Sequence, residues 1–324
     1  MIHYIFKNDK DYSRYSILKE FTKDIQTQNE IYLLFPFSKT KFIKYFSKRK
    51  SILNDFFISS YDTYVYDRKK AMPYSPLVWW KYCQDWINFK FSKYLISDTK
   101  EHFLYWERLF GKFHGNLLVM PVLADKSIYF PQDTIANAKP KILFFGSFIP
   151  LHGIEVILKS FQILDQQNIE YEAEIIGRGQ MFQSMKELHS ALLLKYVKMD
   201  GSFINENQLA NKINEADIVL GIFGNSQKAK SVVPNKVYQA MACKRPIITM
   251  KSKAIDEFFT SKEIMTCENS SECLATAIIE MLHNKDFSNT IATNGYNKFL
   301  HLYQKTKKEM EEFIHQMDMT IERY

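Results

Sequence analysis

In the second half of the chain, short apolar runs alternate with segments whose apolar residues recur at spacings of three and four. Residues 142–145 lead to Gly146 and then to Ile154, Ile157, Leu158, Phe161 and Leu164. Residues 173–176 lead to Gly177-Arg178-Gly179 and a helical stretch reaching Leu194, and 196–199 lead to Gly201 and a helical stretch ending near Glu215. Further on come a run at 218–220, a helix opening at Pro234, a run at 246–249, a short run at 264–266, a helix over 271–282 and a long helical region from Phe287. Strands alternating with helices, with glycine at the strand ends, predict an α/β fold with a parallel, doubly wound sheet.

The first half is mixed. Apolar runs at 31–35, 55–58, 94–96 and 117–122 read as strands of a separate sheet, and a helix over 12–25 carries Ile17, Leu18, Phe21 and Ile25 on one side. Trp79, Trp80, Tyr82 and Trp86 read as core and domain-interface packing. Residues 38–57 read as one amphipathic helix, with Phe42, Tyr45, Phe46, Ile52, Leu53 and Phe56 opposite Lys41, Lys44, Lys48 and Arg49. Such a helix either lies on an anionic membrane surface or buries its apolar side in its own domain. Asp62 and Asp98 follow strand-like runs, where open α/β sheets place ligands, and Asp98 or Thr99 equally suits the N-cap of the helix holding His102 and Trp106. The apolar pattern lapses over 131–140, which divides the chain into domains 1–135 and 136–324, the last helix packing back on the first.

The stretch 219–249 combines a strand, a glycine-bearing loop and a helix start. Lys228, Lys230 and Lys236 surround loop amides that have no partner, and the helix dipole adds positive charge, so the stretch outlines an anion site with Asn235, Lys236 and Gln239 at an exposed helix mouth. A surface loop with solvated lysines fits the same residues.

Composition narrows the choice. The 324 residues are 46% hydrophobic and 24% charged, which excludes a disordered chain, and the net charge of +7 favours acidic ligands or surfaces. No apolar run is long enough to cross a bilayer and the N-terminus lacks a signal-peptide core, so a cytoplasmic protein is expected. Cys83, Cys243, Cys267 and Cys273 have no metal-site spacing and read as reduced thiols. The first glycine is Gly111, so any phosphate-cradling loop belongs to the second half. Phe182 stands where a dinucleotide fingerprint needs its third glycine, and no Walker loop or metal-binding His pair is present. The one Asp-x-Asp pair, Asp9 and Asp11, lies near the N-terminus, badly placed to hold a divalent cation at the anion site.

The runs FFGSFIPLHGIEVILKSF, IIGRGQ and LGIFGNSQKAKSVVPNKVYQAMACKRPIIT closely resemble glycosyltransferase family 4, and YDTYVYDR and SDTKEHFLYW extend the resemblance to the first half. The resemblance implies the GT-B fold, two Rossmann-like doubly wound domains facing across a cleft. It also implies a retaining, metal-independent hexosyltransferase without cofactor. Its donor would be a UDP- or GDP-sugar and its acceptor a glycan or lipid-linked glycan of bacterial capsule or lipopolysaccharide, with contact to the inner face of the plasma membrane and no nucleic acid. Carried over residue by residue, the donor site is Gly146, Ser147, His152, Gly153, Gly177, Arg178, Lys228, Lys230, Asn235 and Lys236, with Asp62 and Gln239 as catalytic residues.

Four positions depart from the family pattern. Ser147 and His152 stand where basic residues are usual, and the paired glutamates fall on Ser231 and Gln239, neither acidic. His152 replaces a lysine's charge if protonated, or makes a neutral hydrogen bond. Gln239 can hydrogen-bond a sugar but supplies no charge. A catalytically weak nucleotide- or partner-binding subunit is therefore the alternative to an active enzyme.

Overall fold

Eleven strands among the described residues pair entirely in parallel and form two separate sheets. The computed structural model describes residues 1–7, 13–68, 70, 72 and 75–321. They group into one unit of Met1–Val122 with Leu302–Tyr324 and a second of Leu123–His301.

In the first unit, β1 (Ile2–Ile5), β2 (Ile31–Leu34), β3 (Ile52–Asp55), β4 (Tyr94–Ser97) and β5 (Asn116–Val119) lie side by side in chain order. Helices α1 (Ser13–Thr22), α2 (Lys39–Lys44), α3 (Ser60–Asp62), α4 (Pro76–Phe91) and α5 (Lys100–Phe110) connect them. Phe56, Phe89, Leu95, Trp106 and Phe110 form one core cluster, and Ile5, Leu34, Phe42 and Ile52 another. The strand placed at 55–58 is β3, three residues earlier. Residues 38–57 are not one helix: α2 gives way to a 3-10 turn at Phe46–Ser51 and then to β3. Ile52 and Leu53 fit a helical stripe, yet they pair with Tyr32 and Leu33 of β2, and burial on both faces of a parallel sheet outweighs helical spacing. Phe42 is buried as that spacing requires, but Lys39 is buried too, bonded to Asp85 at 2.8 Å. Trp79 and Trp80 are 65% and 60% exposed, so they are not core; Val78, Asp85 and Phe89 of α4 point inward in their place. Thr99, not Asp98, caps α5, accepting from the His102 amide at 2.8 Å, while Asp98 takes the His102 ring. The start of the first predicted helix, at Tyr12, lies outside the described residues.

The second unit carries β6 (Lys141–Phe145), β7 (Glu172–Ile176), β8 (Val197–Asp200), β9 (Ile218–Leu220), β10 (Ile247–Met250) and β11 (Met265–Cys267) in the order β11-β10-β9-β6-β7-β8. Its helices are α6 (Ile154–Gln166), α7 (Phe182–Ala191), α8 (Glu206–Glu215), α9 (Gln227–Ser231), α10 (Asn235–Ala242), α11 (Lys253–Asp256) and α12 (Ser271–His283). Ile157, Leu158, Phe161, Ile175, Leu220, Leu274 and Ile278 fill the core around this sheet. The long α13 (Lys285–Ile321) begins here and ends in the first unit. There Tyr303 meets Phe21 edge-on at 5.0 Å and donates to Glu20, and the Asp318 carboxylate accepts from the amides of Gln28 and Asn29 at 2.7 and 2.9 Å.

The units divide at Val122–Leu123, ahead of the polar stretch 131–140. That stretch lacks an apolar pattern but is tied into the second unit by polar contacts. Gln132 donates to Asn214, Asn137 to Asp217, and Arg245 to Thr134.

Candidate functional site

Chain winding reverses between β6 and β9: β7 and β8 are laid on one side of β6, and the chain then returns to place β9, β10 and β11 on the other. The loops at the carboxyl ends of two such strands lead away in opposite directions and leave a crevice, the usual ligand position in open α/β sheets. Here the loops are 146–153, 177–181 and 221–226, and they are bonded to each other. Gly146 N donates to Ile176 O at 2.9 Å, Phe148 N to Arg178 O at 3.0 Å, and Phe223 N to His152 O at 3.0 Å.

Two glycines make this approach possible. A Cβ on Gly177 would stand 1.9 Å from Gly146 O, and one on Gly153 would stand 2.1 Å from Phe223 O. Gly153 also has φ of 62°, the left-handed region that glycine enters without strain. It leads into α6, whose first turn has no side-chain cap; α10, entered from Pro234, has none either. In contrast, α5, α8, α9, α11 and α12 each carry a capping side chain. The uncapped amides of α6 and α10 keep their capacity for an anion.

Lys236 occupies the centre. Expected at an exposed helix mouth, it is buried at 5% exposure, because its stem runs back along the apolar end of β6. Its Nζ lies 4.9 and 5.6 Å from the ring centroids of Phe144 and Phe145 and 3.4 Å from His152 Nε2. Among the described residues no carboxylate pairs with it. Removed from water and without a counter-charge, the ammonium is pushed down to about 7. A Cβ built on Gly146 would meet this Nζ at 2.9 Å, so the cation is aimed at the turn that ends β6.

The geometry decides between the two readings of His152. Its Nδ1 faces the Ser147 carbonyl, which only accepts, so Nδ1 carries the proton and Nε2 offers its lone pair to Lys236. Burial first, and the neighbouring Lys236 second, hold the imidazole well below its ordinary value. His152 is the neutral partner of a lysine and does not replace one.

The structure thus brings together Gly146, Ser147, His152, Gly153, Gly177, Arg178 and Lys236, with Asn235 half-buried one residue before Lys236 at the start of α10. Lys228 is buried on α9 and Lys230 is exposed on the same helix. Ser231 donates to Gln227 O of its own helix at 2.8 Å. Gln239, 8% exposed and one turn beyond Lys236, donates through Nε2 to the Tyr129 hydroxyl at 2.8 Å. Asp62 lies in the first unit, fully buried, and accepts from the Tyr105 hydroxyl at 2.5 Å. Asp9 and Asp11 lie outside the described residues.

Two residues escaped the sequence reading. Tyr129 is one. The other is Phe203, 75% exposed, with the Arg178 guanidinium 5.6 Å from its ring centroid, beside a cavity of about 360 Å³ lined by Gly146, Ser147, Gly177, Arg178, Ser202 and Leu209 among others. Its position just after Gly201 at the end of β8 is the signal that could have identified it.

The family model described as glycosyl transferases group 1 matches residues 125–298. No curated protein matches the chain by sequence. Among solved structures, sucrose-phosphate synthase from Thermosynechococcus elongatus is similar at 14% identity and TM-score 0.70, covering 90% of this chain and 74% of that one. Anabaena HepE in complex with UDP and glucose is similar at 13% identity and TM-score 0.66, covering 97% and 98%. A S. aureus TarM variant in complex with Fondaparinux, alpha-GlcNAc-glycerol and UDP is similar at 12% identity and TM-score 0.67, covering 93% and 58%. At these identities the likeness is one of fold, the GT-B arrangement of two Rossmann-like domains.

Proposed function

Because the chain belongs to the group 1 glycosyl transferases, we propose that it moves a hexosyl group, with retention and without a metal, from a UDP- or GDP-sugar to a glycan or lipid-linked glycan of a bacterial capsule or lipopolysaccharide. The resemblance to glycosyltransferase family 4 supplies retention and substrate class. The observation that carries the donor assignment is Lys236, a buried cation with no carboxylate partner among the described residues, aimed at a glycine turn beside two uncapped helix starts. A diphosphate is the complementary ligand: it supplies the missing counter-charge and accepts from the free amides of α6 and α10. The structure of HepE, a complex with UDP and glucose, supports the same class of donor.

In the transfer, the bond from the anomeric carbon to the diphosphate oxygen breaks, a bond to the acceptor oxygen forms on the same face, and the acceptor's proton is lost to the departing diphosphate. Negative charge grows on the diphosphate as the bond breaks, so Lys236 and the helix amides stabilise the transition state more than the ground state. Asn235, Lys228 and Lys230 are assigned to the donor's polar periphery, Arg178 with Phe203 to its nucleoside end, and Gln239 to its sugar. Asp62 is assigned to the acceptor side on the resemblance alone.

A second reading is favoured by Gln239 and Ser231, which leave this helix pair without a carboxylate: a nucleotide-binding subunit of a glycan-assembly complex with little turnover. Incubation with radiolabelled UDP- and GDP-sugars and a lipid-linked glycan extract separates the two, since an enzyme yields labelled glycan and a binding subunit only retains nucleotide.

No helix of the described residues is long and apolar enough to cross a membrane. Contact with the inner membrane face is assigned to Lys41, Lys44, Lys48 and Arg49 around α2, with Ile43 exposed among them. Co-sedimentation with vesicles containing anionic lipid should fall in Lys41→Glu/Lys44→Glu and not occur with neutral vesicles.

A further inference from the structure

Trp79, Trp80 and Trp86 take no part in the donor site, and they do not fill the core: they stand 65%, 60% and 36% exposed along α4. The inward side of that helix is complete without them, with Val78, Asp85, Asn88 and Phe89 buried. On the outward side two neighbouring rows repeat the same spacing of seven and four, Trp79-Trp86-Lys90 and Trp80-Ile87-Phe91. Phe91 carries these rows over to the 3-10 turn that follows α2. Its ring centroid lies 5.9 Å from that of Trp86 and 5.5 Å from that of Phe46, and the Arg49 guanidinium covers Phe46 at 4.7 Å. The aromatic rows of α4 and the cations around α2 therefore make one continuous face.

The charge of this face has one sign. Residues 36–51 hold Lys39, Lys41, Lys44, Lys48, Arg49 and Lys50 and no carboxylate. The one acid in the sequence of α4, Asp85, is fully buried and turned inward, accepting from Lys39 Nζ, Ser59 Oγ and Tyr61 N at 2.8, 2.6 and 2.8 Å. Lys48 is turned to Glu30 at 3.4 Å, so the charge presented comes chiefly from Lys41, Lys44 and Arg49. Tryptophan rings flanked by lysine and arginine favour the boundary between lipid headgroups and acyl chains, and anionic headgroups complement the cations. A protein hot spot instead gathers its aromatics in one packed pocket. Here they run along a helix for about 18 Å, at about 1.5 Å per residue from Trp79 to Phe91. A row of that shape fits a plane.

We propose that α4 is the inserting element of a bilayer-docking face: Trp79, Trp80, Trp86 and Phe91 enter the boundary region of an anionic membrane while Lys41, Lys44 and Arg49 stay at its phosphates. This rests on the membrane contact assigned above and adds the part that enters the lipid.

The test uses vesicles of phosphatidylcholine mixed with phosphatidylglycerol, with bromine on the acyl chains as a contact quencher of tryptophan fluorescence. Trp106, fully buried, supplies the unquenched background. Wild-type emission should move to shorter wavelength on binding and be quenched by the bromines. Trp79→Ala/Trp80→Ala should bind roughly tenfold more weakly, or worse, with its melting temperature unchanged, since both rings stand in water in the free protein. Lys41→Glu/Lys44→Glu should also lose binding, through charge. If that charge variant alone lost binding, with Trp79→Ala/Trp80→Ala at wild-type affinity and wild-type fluorescence unquenched, the cation contact would stand and insertion by α4 would be overturned. Equal binding to phosphatidylcholine alone would overturn the anionic partner. A wild-type protein that ignores the mixed vesicles would overturn the membrane reading and this proposal together, leaving the face to a protein partner.

Discussion

Raising the pH should release the nucleotide sugar through one side chain. Lys236 must be protonated to face a diphosphate, and in the ligand-free chain it is held down to about 7 by burial. A nucleotide sugar keeps both phosphates esterified, so its own charge is steady in this range. Burial, and the neighbouring Lys236, hold His152 well below its ordinary value. Affinity should therefore be nearly level below about pH 6 and fall about tenfold per unit well above about pH 7, a loss of about thirtyfold, or about 2 kcal/mol, by about pH 8.5. Lys236→Met keeps the stem against Phe144 and removes the titrating atom. It should lower affinity near pH 6 by roughly ten- to a hundredfold and abolish the slope. In the ligand-free protein the sign reverses. The unfolded chain binds the extra proton between about 7 and 10.5, so the cost of the buried charge is full below about 7 and fades as pH rises. The Met variant should melt higher than wild type near pH 6, with the gap closing toward pH 9. Calorimetry with UDP-glucose and GDP-glucose, with melting curves alongside, measures both. A level wild-type profile with unchanged affinity in Lys236→Met would refute the reasoning.

Gly153→Ala should cost about 3 kcal/mol of stability by urea denaturation, because alanine must enter left-handed backbone and its Cβ meets Phe223 O; a loss below about 1 kcal/mol would mean the loops can part. Glycan labelling should survive excess chelator, and loss of labelling with recovery on added manganese would count against a diphosphate held by Lys236 and amides alone. Asp62→Asn tests a residue whose burial and bond from Tyr105 favour a structural role: an acceptor-side catalyst would lose turnover with its melting temperature intact, whereas a structural carboxylate would lose stability as well.

The second sheet was legible because β6, β7 and β9 are short apolar runs stopped by glycine, and that punctuation has a local cause: Gly146 and Gly177 stand where the loop backbones touch. Residues 38–57 were not, since Ile52 and Leu53 satisfy both a helical stripe and a buried strand, and only pairing with β2 and β4 selects the strand. Lys236 was identified as a residue of the anion site but placed in solvent, because a lysine's burial depends on what covers it and Phe144 lies far away along the chain. Tyr129 gave no local sign, its one bond to Gln239 reaching across 110 positions.

The course of α13 bears on how this protein is made. Tyr303 and Asp318 belong to the first unit, where they meet Phe21, Glu20, Gln28 and Asn29, yet they are translated after the whole of the second unit. Domains that fold as contiguous stretches can close one after another as they leave the ribosome. The Phe21 side of α1 therefore gains its Tyr303 contact only after the second unit has been translated. A single cut of the chain at Val122–Leu123 would leave Tyr303 and Phe21 on different fragments, although both belong to the first unit.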